Sequence, residues 1–449
     1  MRKSPFSKPI ALLAALAATL GITSMADITG DVNGDGSVNA SDISAVASII
    51  SGESTTDYEG REDVNGDGSV NASDISAIAS IIAGETTDEE PRDIAFDYTA
   101  LTEATETVPT DTNDVTHDDF IENSEFTKTI TITWDGESAT VDGSVSKVSV
   151  STDGGHVTVT STAKKVAYVL KGTTTNGSIK FYSEKKFSVT LDGVTITNPT
   201  GAAINNQCGK SFFLVLTDGT TSTLTDGETY TMVDGEDQKG TLFSEGQILI
   251  SGSGTLNVNS VGKNGIVSDD YVFVRPGSQI NVTSTSGHCI KANDGVRING
   301  SVLNLGTSAD GAKGINCEDF VAINGGRTTI IATGTTDTSD TTSVAGVKCD
   351  STITIAGGTL LVKVTGDDAK AIKTRNLVMT GGELAAVALG SKNLAAPKGI
   401  KSDGDITVSG GSFYSYSANS DPVDADGSFT VADGYSTYTT TDHSVTISY

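Results

Sequence analysis

Residues 262–412 repeat one short sequence pattern six times. Each copy contains a small residue followed by a β-branched residue, a polar corner, an alternating run, a glycine-rich turn and a second run. The β-branched anchors stand at intervals of 24, 25, 32, 25 and 28 residues, at Ile266, Ile290, Ile315, Val347, Ile372 and Ile400. A period of this length with strand-like content is typical of stacked repeats.

Three short strands and three turns per repeat fit one coil of a parallel β-helix. Stacked coils bury a continuous apolar core and place equivalent residues roughly 4.8 Å apart, the spacing of paired strands. We therefore predict an all-β fold, a right-handed parallel β-helix over residues 120–449, preceded by a small all-α module. A β-sandwich of similar strands is the alternative, and the recurring Ile-Lys corner argues against it.

Two nearly identical segments, residues 31–50 and 63–82, precede the β-rich region and differ at one position, Val46 against Ile78. Each opens with a twelve-residue loop in which alternate residues carry oxygen atoms, with glycine at the sixth position for a sharp turn. Because Ca²⁺ takes about six to eight hard oxygen ligands, each loop predicts one calcium site. The expected ligands are Asp31, Asn33, Asp35, the Ser37 carbonyl, Asn39 and Asp42, and in the second loop Asp63, Asn65, Asp67, the Ser69 carbonyl, Asn71 and Asp74.

Each loop is followed by a short amphipathic segment whose isoleucine and valine residues recur at helical spacing. Ordinary paired EF-hands are the alternative, but they need a helix before each loop, and only SMADITG precedes the first one. The loop-then-helix duplication resembles a type I dockerin over residues 27–85. The resemblance implies docking to the cohesin domain of a scaffoldin, with the cohesin-reading positions at Ala40, Ser41, Ala72 and Ser73.

The first 26 residues have the pattern of a secretory signal peptide: a basic start, an apolar run and a small-x-small cleavage site before Asp27. We therefore predict a secreted, extracellular protein, and no second apolar segment predicts a membrane span. The net charge of −28 excludes nucleic acid as a partner, because nothing in such a chain would neutralise phosphates. The excess of acid points either to calcium or simply to solubility.

Residues 86–119 are rich in threonine, aspartate and glutamate and show little apolar periodicity. This composition predicts a solvated linker between the two modules.

Stacking converts the recurring corner into rows of charged residues. One residue after the anchors stand Lys291, Lys348, Lys373 and Lys401, and aspartates follow or precede the same corners, among them Asp294, Asp319, Asp350, Asp367 and Asp368. Carboxylates about one strand spacing apart repel one another unless a cation lies between them. Three interpretations stay open: the rows neutralise one another, these aspartates hold calcium between coils, or the lysines bind a long acidic polymer that calcium bridges.

The corners and Gly-Gly turns of residues 240–412 resemble the secreted bacterial carbohydrate-binding β-helix domains related to pectate lyases. That resemblance implies a right-handed parallel β-helix, bound calcium and affinity for plant cell-wall polysaccharide, either polygalacturonate or cellulose. The lysine row is then the carbohydrate-binding surface. Trp134 is the only tryptophan, which argues against a flat aromatic platform for crystalline cellulose.

Two further functions stay open. A calcium-dependent polyuronate lyase would use a Lys or Arg base, for which Lys373 or Arg375 beside Asp350, Asp367 and Asp368 is the candidate group. The other is a non-catalytic structural or adhesive spacer. No catalytic residue is assigned, because no lysine stands apart from its row.

Two of the four cysteines, Cys317 and Cys349, each stand two residues after their anchor and so belong to adjacent coils. That separation allows a disulfide, and two free buried thiols are the alternative. Cys208 and Cys289 have no matching position.

Overall fold

The computed structural model describes residues 29–53, 56, 58, 60–64, 69–82, 90–101, 106–339, 342–434 and 437–449. The predicted signal peptide lies outside these residues, as do Asn65 and Asp67 of the second predicted calcium loop. The chain divides into two compact units, Met1–Glu89 and Glu90–Tyr449.

The first unit contains two short helices, α1 (Ala40–Ile50) and α2 (Ala72–Ile82). Asn39 caps α1, since its side-chain oxygen accepts the Ser41 N–H at 2.9 Å while its own N–H donates to Asp42 at 2.9 Å. This reciprocal cap satisfies backbone groups that the first turn of a helix leaves unpaired. Both helices lie where the repeated apolar pattern predicts them.

The buried core of the first unit is small. Val32, Ala45, Val46 and Ile78 form it, and partly buried neighbours surround them. The last isoleucine of each helix, Ile50 and Ile82, is 45% exposed. Because the buried apolar area among the described residues of this unit is small, we expect the unit to need a further stabilising ligand to offset the conformational entropy of the chain.

The second unit is a parallel β-helix of about 11 turns, so the predicted fold is confirmed. Its strands lie on three faces, here called A, B and C, which each coil visits in that order. Face A contains β4 (Gly155–Ser161), β6 (Gly177–Ser183), β9 (Ile204–Asn206), β12 (Gly240–Ser244), β15 (Asn264–Ser268), β18 (Ile290–Ala292), β20 (Lys313–Cys317), β26 (Lys398–Ser402) and β29 (Val423–Ala425).

Face B contains β1 (Lys128–Asp135), β5 (Val166–Thr174), β7 (Phe187–Leu191), β10 (Phe212–Leu216), β13 (Ile248–Gly252), β16 (Tyr271–Val274), β27 (Ile406–Val408) and β30 (Phe429–Val431). Face C contains β8 (Thr195–Thr197), β11 (Thr221–Thr225), β14 (Thr255–Ser260), β17 (Gln279–Ser284), β23 (Thr359–Val364), β25 (Glu383–Ala388) and β28 (Ser412–Ser417). Five strands pass through a corner and serve two faces: β5, which also reaches face C, β19 (Gly295–Thr307), β21 (Phe320–Ala332), β22 (Ala345–Ile355) and β24 (Lys370–Met379).

Antiparallel strands close both ends of the β-helix. At the first end β2 (Ser138–Asp142) pairs with β1, and β3 (Val148–Asp153) pairs with β4. At the other end β32 (Ser444–Ser448) pairs with β28 and with β31 (Thr437–Thr440). These caps cover strand edges that would otherwise offer unpaired backbone groups to another chain.

The predicted anchors stack in register along face A. Ile266 pairs with Ile290, Ile290 with Ile315, and Val347 with Ile372, and every one of these side chains is at most 1% exposed. The core therefore runs through successive coils as a ladder of β-branched side chains.

The small residue before each anchor is required by close packing against face C. A Cβ atom added to Gly346 would lie 2.0 Å from Val362 Cγ1, and one added to Gly314 would lie 2.2 Å from Ile330 Cγ2. Both distances are shorter than any real contact between carbon atoms, so a side chain at either glycine would collide with the side chain from face C.

Residues 90–101 and 106–126, here called the strap, lie against the outside of the β-helix, which differs from the expected solvated linker. Ile94 is 2% exposed and packs with Ala385 and Val387. Phe120 is 4% exposed and packs edge-on against Phe273 at 5.7 Å between ring centroids. The strap also contains two short 3₁₀ turns, His117–Asp119 and Ile121–Asn123.

Ion pairs fix the direction of the strap. The first residues of the strap pair with the last coils: Arg92 with Glu383, and Asp93 with Lys363 at 3.4 Å. Asp97 pairs with Arg327 at 3.0 Å, in an earlier coil. Glu106 and Glu122 both pair with Arg275 at 2.8 Å, earlier still. The strap therefore runs from the last coils back to the first, where β1 begins. None of the helices among the described residues is long and apolar enough to cross a lipid bilayer.

Candidate functional site

The first predicted calcium loop folds around its own carboxylates. Asp42 is fully buried and accepts the backbone N–H groups of Asn33 at 3.1 Å and Asn39 at 2.9 Å. Asp31 is 6% exposed and accepts the N–H of Asp35 at 3.0 Å. The loop therefore holds two buried carboxylates at its centre, as the sequence pattern predicts.

The described part of the second loop repeats this arrangement. Asp74 is fully buried and accepts the Asn71 N–H at 2.8 Å, as Asp42 does from Asn39. Asn71 also donates to the Ser69 carbonyl at 3.2 Å. The near-identity of the two sequences thus extends to the hydrogen bonds at the start of each helix.

The donor set of the first loop fits calcium. Asp31, Asp35 and Asp42 contribute carboxylates, Asn33 an amide oxygen and Ser37 a backbone carbonyl, all hard oxygen ligands. No ion pair among the described residues involves Asp31 or Asp42, although both carboxylates are buried. These five residues would hold Ca²⁺, whose charge would neutralise them.

The four predicted cohesin-reading residues stand at equivalent places in the first turns of α1 and α2, and all four are exposed: Ala40, Ser41, Ala72 and Ser73. The two helices therefore present matching small-residue surfaces.

The β-helix places the predicted lysine row on the outer side of face A. Lys291 pairs in register with Asn316, Asn316 with Lys348, Lys348 with Lys373, and Lys373 with Lys401. Each residue of the row directly follows an inward-facing anchor in its strand, so its side chain points away from the core. The sequence correctly predicts which residues align, with Asn316 as the one uncharged member.

Two lysines of the row are neutralised by aspartates. Lys348 pairs with Asp350 at 2.8 Å, and Lys401 pairs with Asp424 at 3.3 Å. Among the described residues no carboxylate lies within ion-pair distance of the other two, Lys291 and Lys373. The row therefore keeps free positive charge in a chain where acidic residues outnumber basic ones by 57 to 29.

A groove of about 630 Å³ lies beside this row. Its polar lining includes His288, Asp310, Lys313, Asn316, Lys348 and Lys373. The groove spans several coils, so a ligand in it would follow the axis of the β-helix. Among the lining residues, lysines exceed aspartates.

His288 lines this groove with a neutral imidazole. Its Nδ1 atom accepts the backbone N–H of Lys313 at 3.0 Å, so the neutral ring carries its proton on Nε2. Burial, and then the charges of Lys313, Lys291 and Lys348, lower the pKa of His288 to about 3. The imidazole therefore adds no positive charge to the groove at neutral pH.

A second lysine row stands two residues before the anchors, and its first member, Lys313, lines the groove. Lys313, Lys370 and Lys398 are 5%, 9% and 7% exposed. Burial, followed by the charges of Lys373 and Lys398, lowers the pKa of Lys370, whose Nζ donates to the Asp368 carbonyl at 2.7 Å. This row makes the neighbourhood of Lys373 more positive.

Comparison with known proteins identifies both units. The model of the family described as carbohydrate-binding domain-containing proteins matches residues 153–444. The chain belongs to this family. The model of the dockerin type I domain matches residues 29–83, so the first unit is a dockerin domain.

A solved structure of the polysaccharide lyase-like protein from C. thermocellum, a gadolinium derivative, is 24% identical to this chain. The match covers 68% of this chain and 98% of that chain, with a TM-score of 0.41. No curated protein matches the chain. Together the two family matches support carbohydrate binding by the β-helix and cohesin docking by the dockerin domain.

The predicted calcium aspartates of the carbohydrate-binding domain fall at two separate corners. Asp294, Asp319 and Asp350 follow the face A strands, whereas Asp367 and Asp368 precede β24. The structure therefore does not bring the five together. Burial, and then the neighbouring Asp294 carboxylate, raise the pKa of Asp270, which places these two carboxyl groups side by side.

Asp368 is held in place by backbone donors. It is fully buried and accepts the backbone N–H groups of Asn393 at 2.7 Å, Leu394 at 2.9 Å and Ala395 at 2.9 Å. Burial alone would raise the pKa of Asp368, but these donors hold it below its ordinary value. Both of its oxygens have backbone donors, as those of Asp42 do in the first loop, and its role in calcium binding stays a prediction.

The suggested lyase group does not assemble either. Arg375 Nε donates to the Asp350 carbonyl at 3.4 Å, but Asp367 lies at the opposite corner, where it accepts the Ser391 N–H at 2.9 Å. In the described part of the chain, Lys373 thus has no cluster of carboxylates beside it.

Sequence reasoning missed one acidic group. Among the described residues, Asp237, Glu245 and Asp269 are the only three carboxylates close enough together to share an ion. Lys239 already lies among them, 2.7 Å from Asp237 and 2.5 Å from Asp269. Asp237 belongs to the loop before β12 and has no equivalent in other coils, so no repeat pattern could have predicted it.

Proposed function

We propose that this protein is secreted, docks to a cohesin through its dockerin domain and binds an acidic plant cell-wall polysaccharide along the groove of face A. The observation that carries the proposal is the row from Lys291 to Lys401, which retains unpaired lysines in a strongly acidic chain. Because equivalent residues recur at about strand spacing along the axis, several sugar carboxylates meet several lysines at once. Each contact is weak, and the affinity comes from their number.

Calcium has two roles in this proposal. In the dockerin domain it neutralises the buried carboxylates of the two loops. At face A it bridges the carboxylates of the glycan to aspartates such as Asp294 and Asp319, which would otherwise repel an acidic ligand.

Affinity electrophoresis in polygalacturonate tests the groove. We expect calcium to retard migration of the full chain, and both salt and chelator to weaken this retardation. Replacing Lys348 and Lys373 together with alanine should cost about 1–2 kcal/mol of binding free energy, judged from partly screened charge pairs. The matched control replaces Lys185 and Lys210, two lysines of a separate surface depression, and should leave retardation unchanged.

Unretarded migration in calcium, or equal losses in both double variants, would contradict the groove as the binding site. A gel of neutral glucan shows whether binding depends on sugar carboxylates. Absorbance of unsaturated uronates in the same mixture reports any lyase activity.

Cohesin docking has its own test. Since the two helices present matching surfaces, a cohesin should bind in two orientations related by a half-turn. Changing Ala40-Ser41 or Ala72-Ser73 alone to bulky residues should then be tolerated, and changing both pairs should abolish binding. Loss of binding with either single pair changed would rule out the two orientations.

A further inference from the structure

The two coils that form the floor of the groove carry adjacent cysteines. Cys317 directly follows Asn316, and Cys349 directly follows Lys348. The two cysteines are register partners in the pairing of β20 with β22. Parallel neighbours lie roughly 4.8 Å apart, which is inside the Cα separation that a disulfide requires.

Both side chains point to the same place inside the β-helix. Cys317 is 2% and Cys349 is 1% exposed, and both belong to the main hydrophobic core. Their thiols occupy equivalent positions, since Cys317 Sγ donates to the Phe320 carbonyl at 3.2 Å and Cys349 Sγ to the Thr352 carbonyl at 3.5 Å.

The two thiols also interact with each other. The neighbouring Cys349 sulfur, together with burial, raises the pKa of Cys317, and the neighbouring Cys317 sulfur lowers the pKa of Cys349. The backbone N–H groups of Ser351 and Thr352 also lower the pKa of Cys349.

We infer that Cys317 and Cys349 form a disulfide that joins the two coils beneath the groove. The oxidant is a small-molecule or protein disulfide of the extracellular compartment. The thiolate of one cysteine attacks one of its sulfur atoms and releases one thiol; the thiolate of the other cysteine then attacks the sulfur of the first and releases the second. The oxidant takes up two electrons, and the two cysteine protons go to its thiols. Because both cysteines are buried in the finished fold, the exchange takes place before these coils close.

The bond links the ends of the longest interval between anchors, the 32 residues from Ile315 to Val347. This interval contains the segment that contributes Asp337, Thr342 and Ser343 to the groove. A covalent link at its base would restrict the separation of the coils that carry Asn316 and Lys348. The other two cysteines provide internal controls, because Cys289 bonds to the Gly306 carbonyl at 3.1 Å and has no cysteine in register.

The experiment refolds the full, reduced chain with calcium in a mixture of oxidised and reduced glutathione, then denatures it and alkylates the remaining thiols. Mass spectrometry of the intact protein should show two alkylated cysteines in the wild type, Cys208 and Cys289. Cys289→Ser should show one, and Cys317→Ser should show three. Peptide mapping without reductant should recover the linked pair, and reductant should lower the melting temperature of the wild type but not that of Cys317→Ser.

Four alkylated cysteines in the refolded wild type, or a link that involves Cys208 or Cys289, would overturn the inference. Folding of each variant is checked by its β-sheet circular dichroism, so a misfolded variant is distinguished from an unpaired cysteine. The result does not depend on glycan binding and stands even if the groove binds no polysaccharide.

Discussion

The dockerin domain and the β-helix are both built from repeats, but different forces organise them. Among the described residues of the dockerin domain, the two copies meet over four buried apolar side chains, and carboxylates occupy the centre of the first loop. In the β-helix, repeats contribute β-branched side chains to one continuous core, and the charged residues lie outside this core. We propose that the first unit needs an ion to complete its interior, whereas the second completes its interior by stacking.

This difference predicts which of the two units depends on calcium for its folding free energy. A small unit with an incomplete core gains its folding free energy from the metal it binds, whereas a stack of coils gains it from each neighbouring interface. Removing calcium should therefore lower the stability of the dockerin domain and leave that of the β-helix unchanged.

Chelation should have the largest effect, and only on the dockerin domain. We expect a calcium chelator to abolish the helical circular dichroism of α1 and α2 while the β-sheet signal persists, because the buried Asp31, Asp42 and Asp74 then lose the cation that would balance their charges. The double variant Asp42→Ala with Asp74→Ala should lose the same signal in the presence of calcium.

The control for this prediction is Asp142→Ala, an exposed carboxylate of β2. It should behave as the wild type. Unchanged helix content after chelation would show that the dockerin core suffices alone, and the contrast between the two regions would fail.

The strap provides a third case, because its sequence does not repeat and yet its apolar side chains are buried against the β-helix. Phe120→Ala removes a ring packed on Phe273 and lying 4.5 Å from the Arg275 guanidinium, and should cost about 3–5 kcal/mol of unfolding free energy in chemical denaturation. Val115→Ala, at a side chain 95% exposed in the same segment, should cost nothing measurable. Equal stability of the two variants would return residues 106–126 to the role of a linker.

Asp368 is a buried charge of the β-helix that backbone N–H groups stabilise. Replacing it measures the contribution of those hydrogen bonds to stability. Asp368→Ala leaves three backbone N–H groups without their acceptor and should cost about 3 kcal/mol. Asp368→Asn keeps one acceptor oxygen. Asparagine also tolerates the backbone φ of 62° at this position, so this variant should lose only about 1 kcal/mol of unfolding free energy.

The pH dependence of Asp368 follows from the direction of its pKa. The folded state lowers the pKa of this carboxyl, so its stabilisation is present above the ordinary value of about 3.9 and is lost as pH falls through the lower, folded value. Denaturation of the wild type and of Asp368→Asn between neutral and acidic pH measures this. Parallel pH curves for the two proteins would show that the carboxylate charge contributes nothing.

The repeats could be predicted from sequence because the same pattern of residues recurs in successive coils. The anchor row, the lysine row, both helices and the ligand pattern of the first loop lie where spacing places them. Non-repeating features could not be predicted. Ile94 and Phe120 fill separate hollows of the β-helix surface, so they show no period, and Asp368 finds its donors in a turn about 25 residues further along the chain.

Protection of lysines from acylation tests most directly that the stacked row is the glycan-binding surface. The full chain is treated with an amine-acylating reagent in calcium, with and without polygalacturonate, and the reaction rate of each lysine is followed by mass spectrometry. We predict slower acylation of Lys291, Lys348 and Lys373 in the presence of the polymer and unchanged rates at Lys185 and Lys210. Uniform rates at all five lysines, or protection at Lys185 and Lys210 alone, would contradict this account.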